Sequence, residues 1–232
     1  MQLRAGYARC VDPVRSPNSK KLLITAGPTH EPIDSVRFIG NRSSGRLGID
    51  LATVASARGW DVTLLLGPTS LRCDEPRVRV RPFVSVNDLQ ALLREEFRSC
   101  DVLVMAAAVA DYRPKGGPLP PGEKLKRTER GLVLELESTP DLLAGVATMR
   151  RPGQALIGFA LEPEERLLAS AREKLARKGV DAIVANPLRT MDAPDIEATL
   201  VRRDGESSST DGRISKAAFA SWLLDRIESL PA

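Results

Sequence analysis

The sequence predicts an α/β fold: a doubly wound, mostly parallel, Rossmann-like sheet with a C-terminal hairpin extension. Three features predict it. Short apolar runs of strand length alternate with longer runs whose apolar residues recur at helical spacing, from Lys21 to Asn186. The short runs are apolar nearly throughout, as parallel strands buried on both faces are, and do not alternate with polar residues. Glycines stand where a strand or a helix has to stop, as at Gly27 and Gly59.

In order along the chain, residues 1–20 hold two prolines, several arginines and no periodicity. They read as a flexible tail, with a single domain expected over 21–232. "KLLITAG", Lys21 to Gly27, is a buried strand closed by glycine. A long loop follows, and then a helix over about Ser44 to Arg58, with Leu47, Leu51, Val54 and Ala55 on one face. "DVTLLL", Asp61 to Leu66, is the second buried strand, and the three elements make a βαβ unit. "RVRVRPF", Arg77 to Phe83, reads as a more exposed strand. Asn87 to Arg98 reads as a helix carrying Leu89, Leu93 and Phe97 on one face. "DVLVMAAAV", Asp101 to Val109, is a buried strand. "STPDLLAGVATM" opens a helix, with Thr139 expected as N-cap and Pro140 at the first helical position. Gln154 to Ala160 is a strand, Glu162 to Lys178 a helix, and Asp181 to Asn186 the last core strand.

Two segments break the alternation. Arg113 to Arg130 is rich in Pro, Gly and Lys and has no apolar face. Strand-like runs at Glu197 to Arg203 and near Arg213 flank "DGESSSTDG", so a hairpin is expected over about 197–214. Ser215 then caps a final helix bearing Phe219, Trp222, Leu223 and Ile227.

Hydrophobic residues at 42% and charged residues at 28% are ordinary for a soluble globular protein. No apolar run reaches the ~20 residues of a membrane span, and the first residues lack an apolar h-region, so no secretory leader is expected. The three cysteines, Cys10, Cys73 and Cys100, form neither a metal pattern nor a disulfide framework, so a cytoplasmic location is expected. A net charge of +4 is too mild to indicate nucleic acid, but it suits small anionic ligands.

"FIGNRSSGRLG", Phe38 to Gly48, gives up side-chain bulk directly before a helix. The loop from Gly27 to Ser43 far exceeds the ~2–6 residues of an ordinary βα loop, and it leaves the carboxyl end of a sheet strand. Ser43, Ser44 and Gly45 would bring hydroxyls and free N–H groups to the positive end of a helix, where phosphate binds well. The stretch is neither the P-loop pattern nor a clean G-x-G-x-x-G. A glycine-rich turn with a serine cap and no ligand accounts for the same residues.

Other positions read in two ways as well. Ala107 and Ala108, after a buried strand, would let a ligand touch backbone, and Asp111 stands at that strand's end as a ligand contact or a turn former. "EKLKR", Glu123 to Arg127, is a solvated cluster or a loop that closes over phosphates. Lys174 and Lys178, four apart, share a helix face. His30, the single histidine, has no nucleophile motif around it. No metal ligands are assigned.

"TAGPTHEPID", "VRFIGNRSSGRLG", "AAAVADYRPK", "EKLKR", "STPDLL", "GFALE" and "KGVDAIVAN" occur in this order. Together they resemble phosphopantothenoylcysteine synthetase, the ligase step of coenzyme A biosynthesis, well over Lys21 to Asn186 and weakly beyond. The resemblance implies that 4′-phosphopantothenate is activated by CTP with a divalent cation, usually Mg²⁺. An acyl-cytidylate forms, pyrophosphate leaves, and cysteine displaces CMP. It implies catalytic roles for Asn41, on the acyl intermediate, and Lys124, over the phosphates. Gly27, Ser43, Ser44, Gly45, Lys126, Phe159, Lys174 and Lys178 are implied on the nucleotide. Ala107, Ala108 and Asp111 are implied on pantothenate, and Arg37 on the substrate phosphate of a partner subunit in a homodimer. The family is often fused behind a flavin-dependent decarboxylase; with about 20 residues before the first strand, a stand-alone synthetase without flavin is expected, with no nucleic acid or membrane partner.

This sequence departs from the family pattern at two places. "SSGRLG" stands for the usual "SSGKMG", so Arg46 keeps the charge but not the ammonium geometry. After Asn186 the family shows Phe–x–x–Asp–x–Asn, whereas "MDAPDIEA" offers Asp195 and then Glu197. An NAD(P)-dependent oxidoreductase would need a compact G-x-G-x-x-G turn and an acid ending the second strand, and neither is present. A non-catalytic nucleotide-binding module would keep the cradle and lose Asn41 or Lys124.

Overall fold

β1 (Lys21–Ala26) forms where five apolar or small residues follow two lysines, and its register pairs it in parallel with two neighbours. The computed structural model describes residues 19–127, 129, 131–191 and 193–230. The tail expected over 1–20 therefore lies outside the described residues, apart from Ser19 and Lys20. After β1 come a small hairpin of β2 (His30–Pro32) and β3 (Phe38–Gly40), then α1 (Arg46–Ala57), β4 (Asp61–Leu66), β5 (Arg79–Pro82) and α2 (Val86–Glu96). β6 (Val102–Met105) precedes a second small hairpin of β7 (Tyr112–Pro114) and β8 (Leu136–Ser138). The chain continues through α3 (Leu142–Ala147), β9 (Ala155–Glu162), α4 (Leu167–Lys178) and β10 (Ala182–Pro187). β11 (Asp195–Ile196), β12 (Thr199–Arg202), β13 (Ser207–Ser209) and β14 (Ile214–Ser215) lead into α5 (Lys216–Glu228).

Eight strands form one sheet in the order β13-β12-β10-β9-β6-β1-β4-β5. The six from β10 to β5 are parallel, and their order is that of a doubly wound dinucleotide-binding sheet. Alternate residues of β1 serve opposite faces. Leu22 and Ile24 join α1 and α5 in one core, while Leu23 joins α2, α3 and α4 in the other. The strand order reverses between β1 and β6, and crevices form outside the carboxyl ends of strands at such a point. The long first loop and the loop after β6 both start there.

Several boundaries differ from the sequence reading, each for a local reason. α1 starts at Arg46, after Gly45 adopts a left-handed conformation (φ 73°) that ends the loop. β6 stops at Met105, not Val109, because residues 106–110 turn to bond the first loop. α3 is capped by Asp141, whose side chain accepts from the Ala144 N–H at 3.1 Å, and not by Thr139. The Thr139 hydroxyl is taken up elsewhere, donating to the Ala110 carbonyl at 2.6 Å. β9 runs on to Glu162, and one 3₁₀ turn at Glu164–Arg166 separates it from α4. α2 begins with a capping box in which Ser85 and Asp88 satisfy each other's backbone N–H groups.

The expected hairpin is shorter than 197–214. β12 and β13 form it, and β12 adds antiparallel to β10, so it continues the central sheet as its edge. Ile214 and Ser215 pair instead with Asp195 and Ile196. Ser215 caps α5 as expected, accepting from the Ala218 N–H at 3.1 Å. Among the described residues, no helix is long and apolar enough to cross a membrane.

Candidate functional site

The loop after β1 is laced to the loop after β6. The Ala108 N–H donates to the Gly27 carbonyl at 2.9 Å, and the Thr29 N–H donates to the Ala108 carbonyl at 3.2 Å. Two buried hydroxyls complete the lacing: Thr25 accepts from the Ala107 N–H at 3.1 Å, and Thr29 from the Ala110 N–H at 2.9 Å. Asn41 donates its amide to the Val109 carbonyl at 2.8 Å. Ala107 and Ala108, read as backbone that a ligand touches, thus lie in a segment fixed from one side by three polar side chains, Thr25 of β1 and Thr29 and Asn41 of the first loop.

A cavity of about 990 Å³ opens at this seam. One wall is Asn41 through Gly48, which includes the start of α1. The N-cap of that helix, Gly45, has no side chain to offer; of the first-turn N–H groups only that of Arg46 meets a hydroxyl, the Ser44 Oγ at 3.5 Å, and no acidic residue occupies that turn. Its N-terminal N–H groups and positive dipole end therefore face the cavity as an anion site. Gly48 lets the helix lie this close to β1: a Cβ on it would stand 2.4 Å from the Ala26 Cβ. The opposite wall comes from Ala107, Ala108 and Asp111, from Thr139 to Leu143, from Phe159 and from α4. The charged side chains of the lining are Arg42, Arg46, Lys174, Arg177, Lys178 and Lys216, against Asp111 and Asp141. Six cations facing two carboxylates make the cavity strongly receptive to polyanions.

The α4 lysines are held in place. The Lys174 Nζ pairs with the Glu162 Oε1 at 2.7 Å, and this bond pulls the Glu162 carboxyl below its ordinary range. The Lys178 Nζ pairs with the Asp141 Oδ1 at 3.2 Å. Burial would raise the Asp141 carboxyl, but the Ala144 N–H and Lys178 bring it down. Phe159 stands half-buried on β9 and lines the same cavity.

The cavity wall thus gathers Asn41, Ser43, Ser44, Gly45, Ala107, Ala108, Asp111, Phe159, Lys174 and Lys178. Gly27 lies behind it, against Gly45 and Gly67. Arg37, Lys124 and Lys126 are exposed and do not line it. Arg37 instead pairs with Asp34 at 2.6 Å and donates to the Leu125 carbonyl at 3.2 Å, so it holds the lysine loop. His30 stacks on Phe38, with ring centroids 3.6 Å apart. Sequence reasoning did not single out Arg177, Asn186, Thr190, Met191 or Lys216 as lining residues. No local pattern marks them, although Arg177 follows from Lys174 by helical spacing. The second strand ends on Leu66 and Gly67, with no acid where a dinucleotide fold reads a ribose.

Among the described residues, no group of three or more His, Cys, Asp or Glu could hold a metal ion. Asp111 and Asp141 are the carboxylates of the lining. That donor set fits Mg²⁺ brought in on phosphates, where one or two carboxylates suffice, and not a dedicated cage.

Comparison with known proteins bears on the family and the fold. The family model of the DNA/pantothenate metabolism flavoprotein C-terminal domain matches residues 18–230. A cysteine/cysteine sulfinic acid decarboxylase of an unknown prokaryotic organism is 43% identical over 172 residues, 74% of this chain and 47% of that protein. The coenzyme A biosynthesis bifunctional protein CoaBC of Mycobacterium tuberculosis is 41% identical over 219 residues, 90% of this chain and 52% of that protein. The chain thus spans about half the length of the curated relatives it matches. The crystal structure of the C-terminal domain of a CoaBC protein superposes with a TM-score of 0.76 at 36% identity, covering 90% of this chain and 94% of that one. With nearly its whole length matched, the chain belongs to the family of the DNA/pantothenate metabolism flavoprotein C-terminal domain.

Proposed function

We propose that the chain is a cytoplasmic, homodimeric phosphopantothenate–cysteine ligase that uses CTP. One observation carries this reading. The uncapped N-terminus of α1 shares a cation-lined cavity with the backbone loop Ala107–Asp111, and Asn41 is bonded to that loop beside the helix start. A polyanion and an acyl group can therefore meet in one place. The relatives named for coenzyme A biosynthesis supply the substrate class.

In the first step a carboxylate oxygen of 4′-phosphopantothenate attacks the α-phosphorus of CTP. The bond to pyrophosphate breaks, and an acyl-cytidylate remains. In the second step the cysteine amine attacks the acyl carbon, loses a proton and expels CMP. Both steps build charge on oxygens, which N–H donors and cations stabilise where they are already oriented. The first turn of α1, with Ser43, Ser44 and Gly45, takes the triphosphate, and Gly27 supports it from behind. Lys124 and Lys126 neutralise the departing pyrophosphate. Lys174 and Lys178 hold the nucleotide from α4, and the main chain at Phe159 reads the base. Ala107, Ala108 and Asp111 bind the pantothenate portion. Arg37 of the partner subunit meets the substrate phosphate, for which a guanidinium fork is suited. The Asn41 amide donates and accepts without acting as a nucleophile, so it holds the acyl intermediate. Mg²⁺ carried on the triphosphate supplies charge neutralisation there.

The test is pyrophosphate release by purified protein with Mg²⁺ and 4′-phosphopantothenate, with CTP or ATP, with and without cysteine. The expected result is release with CTP, followed by CMP and the cysteine amide once cysteine is added. Folded protein that releases nothing with either nucleotide would leave the reading without support and favour a binding module.

A further inference from the structure

The Lys124 loop has no helix or strand of its own: between Pro114 and Leu136 no regular element forms among the described residues. What docks it is the turn Ile33–Arg37. The Leu119 N–H donates to the Ile33 carbonyl at 3.1 Å, the Gly122 N–H to the Ser35 Oγ at 2.8 Å, and the Ser35 N–H to the Glu123 carbonyl at 3.2 Å. At the centre lies Asp34, whose side chain is fully buried. Its Oδ1 accepts from the N–H groups of Val36 and Arg37, both at 2.8 Å. Its Oδ2 accepts from the Arg37 Nη1 at 2.6 Å and from the Leu125 N–H at 3.0 Å. The same Nη1 donates to the Leu125 carbonyl at 3.2 Å. Leu125 is therefore gripped at both its N–H and its C=O. It is half-buried, while Lys124 and Lys126 on either side are exposed, as the alternation of extended backbone requires.

We propose that Asp34 is the positioning residue of this ligase's phosphate-neutralising groups, fixing Arg37 and the Lys124–Lys126 loop to one another. This rests on the roles given above to Lys124 and Arg37. Asp34 touches no substrate. It sets the Arg37 guanidinium and the roots of both lysines before substrate arrives, so their ordering is not required at the moment of reaction. Burial would raise the Asp34 carboxyl, but the N–H groups of Leu125, Val36 and Arg37 and the guanidinium bring it down to about 2, so it is ionised throughout the neutral range.

Asp34→Asn is the informative change. Each carboxylate oxygen receives two donors, and an amide has one oxygen, so in either orientation its NH₂ faces donors. Asp34→Glu keeps the charge and both acceptors. The full chain is measured in three ways: amide exchange over 119–125, pyrophosphate release, and nucleotide affinity. Expected for Asp34→Asn is exchange of the Leu125 amide at least tenfold faster and kcat for pyrophosphate release at least tenfold lower. KM for 4′-phosphopantothenate should rise, and the nucleotide dissociation constant should rise by much less than kcat falls, because the first turn of α1, Lys174 and Lys178 still hold the nucleotide. Asp34→Glu should recover part of the loss. Leu125→Pro, which deletes the donor and leaves Asp34 intact, should reproduce the pattern, and it decides the matter if Asp34→Asn does not fold.

Unchanged turnover in Asp34→Asn, with Lys124→Gln inactive, overturns the positioning role and leaves the site reading standing. A loss of nucleotide affinity in proportion to turnover, with exchange raised across the whole sheet, also overturns it, because that is a stability defect. Lys124→Gln with full activity removes Lys124 from the site and the positioning role with it.

Discussion

Replacing Gly48 by alanine should separate the anion site from the sheet. A Cβ there would lie 2.4 Å from the Ala26 Cβ and 3.4 Å from the Ala26 Cα and the Ile24 Cγ2. Carbon atoms rest at ~3.5–4.0 Å, so the first turn of α1 must move off β1 by about 1 Å. Overpacking of this kind costs about 1–3 kcal/mol. Alanine returns up to about 1 kcal/mol as the better helix former. The net loss is then roughly 0–3 kcal/mol, and at ~2–4 °C per kcal/mol for a chain of this size the midpoint falls by at most about 12 °C. Function should suffer far more. The displaced turn carries the N–H groups that face the phosphates, and a misplacement of about 1 Å costs on the order of 10²-fold in rate. Thermal unfolding and pyrophosphate release measured on the same preparation give both numbers. The double change Gly48→Ala with Ala26→Gly removes the collision and should restore most of the turnover. Full turnover in Gly48→Ala alone would refute the claim that this contact sets the position of the anion site.

Asn41→Asp removes the donor to the Val109 carbonyl and sets a negative charge against that oxygen; amide formation should slow by about 10²–10³-fold, more than pyrophosphate release, and equal loss in rapid-quench assays of the two half-reactions would contradict the assigned role. Asp34 has a lowered carboxyl pKa, about 2. Its stabilisation is therefore present above the unfolded value of about 3.9 and is lost as pH falls through the folded one. The gap in melting temperature between wild type and Asp34→Asn should be constant from pH 7 to about 5 and close between pH 4 and 2; a gap independent of pH would show that the charge is not what matters. Cys100 is buried, and burial first of all, with Asp101 beside it, pushes its thiol up to about 12. Iodoacetamide at pH 8 should leave Cys100 unmodified in native protein and label it after denaturation, as peptide mass mapping would show.

What could be read from the sequence was what is decided locally. β4 ends where it was expected because an Asp opens an unbroken apolar run and Gly67 closes it. α1 could be read from its apolar face, but its start could not, because the left-handed turn at Gly45 depends on how the loop returns to the sheet. Thr139 looked like a cap since it precedes Pro140. Its hydroxyl is instead taken by the Ala110 carbonyl, a partner far away in sequence, and Asp141 does the capping. The proposed cradle was read from a run of serines and glycines before a helix, and those residues do line the cavity. Its counterpart was not. Arg177, Asn186 and Lys216 come from α4, the end of β10 and the start of α5, and only the closing of the sheet brings them to one cavity. Asp34 did leave a local sign, an aspartate followed by two residues whose N–H groups it accepts, which is an Asx turn.

The two parts of the site differ in how they are held, and that difference bears on the chemistry. The seam between the loops after β1 and β6 is fixed by bonds to backbone from the buried Thr25 and Thr29 hydroxyls and from the exposed Asn41 amide. In the proposed reaction it would hold the acyl carbon in place while the group bonded to that carbon changes from a nucleotide to an amine. The lysine loop rests on one buried carboxylate and a handful of backbone bonds at the protein surface. Such a segment can open and reclose at modest cost, as segments with few buried apolar contacts do. Pyrophosphate has to leave before cysteine can enter, so groups that neutralise it have to let it go. A rigid acyl site beside a releasable cationic loop meets both demands in one chain. Perturbing the Thr25 and Thr29 bonds should therefore damage both half-reactions, perturbing Asn41 chiefly the second, and perturbing the loop mainly the first.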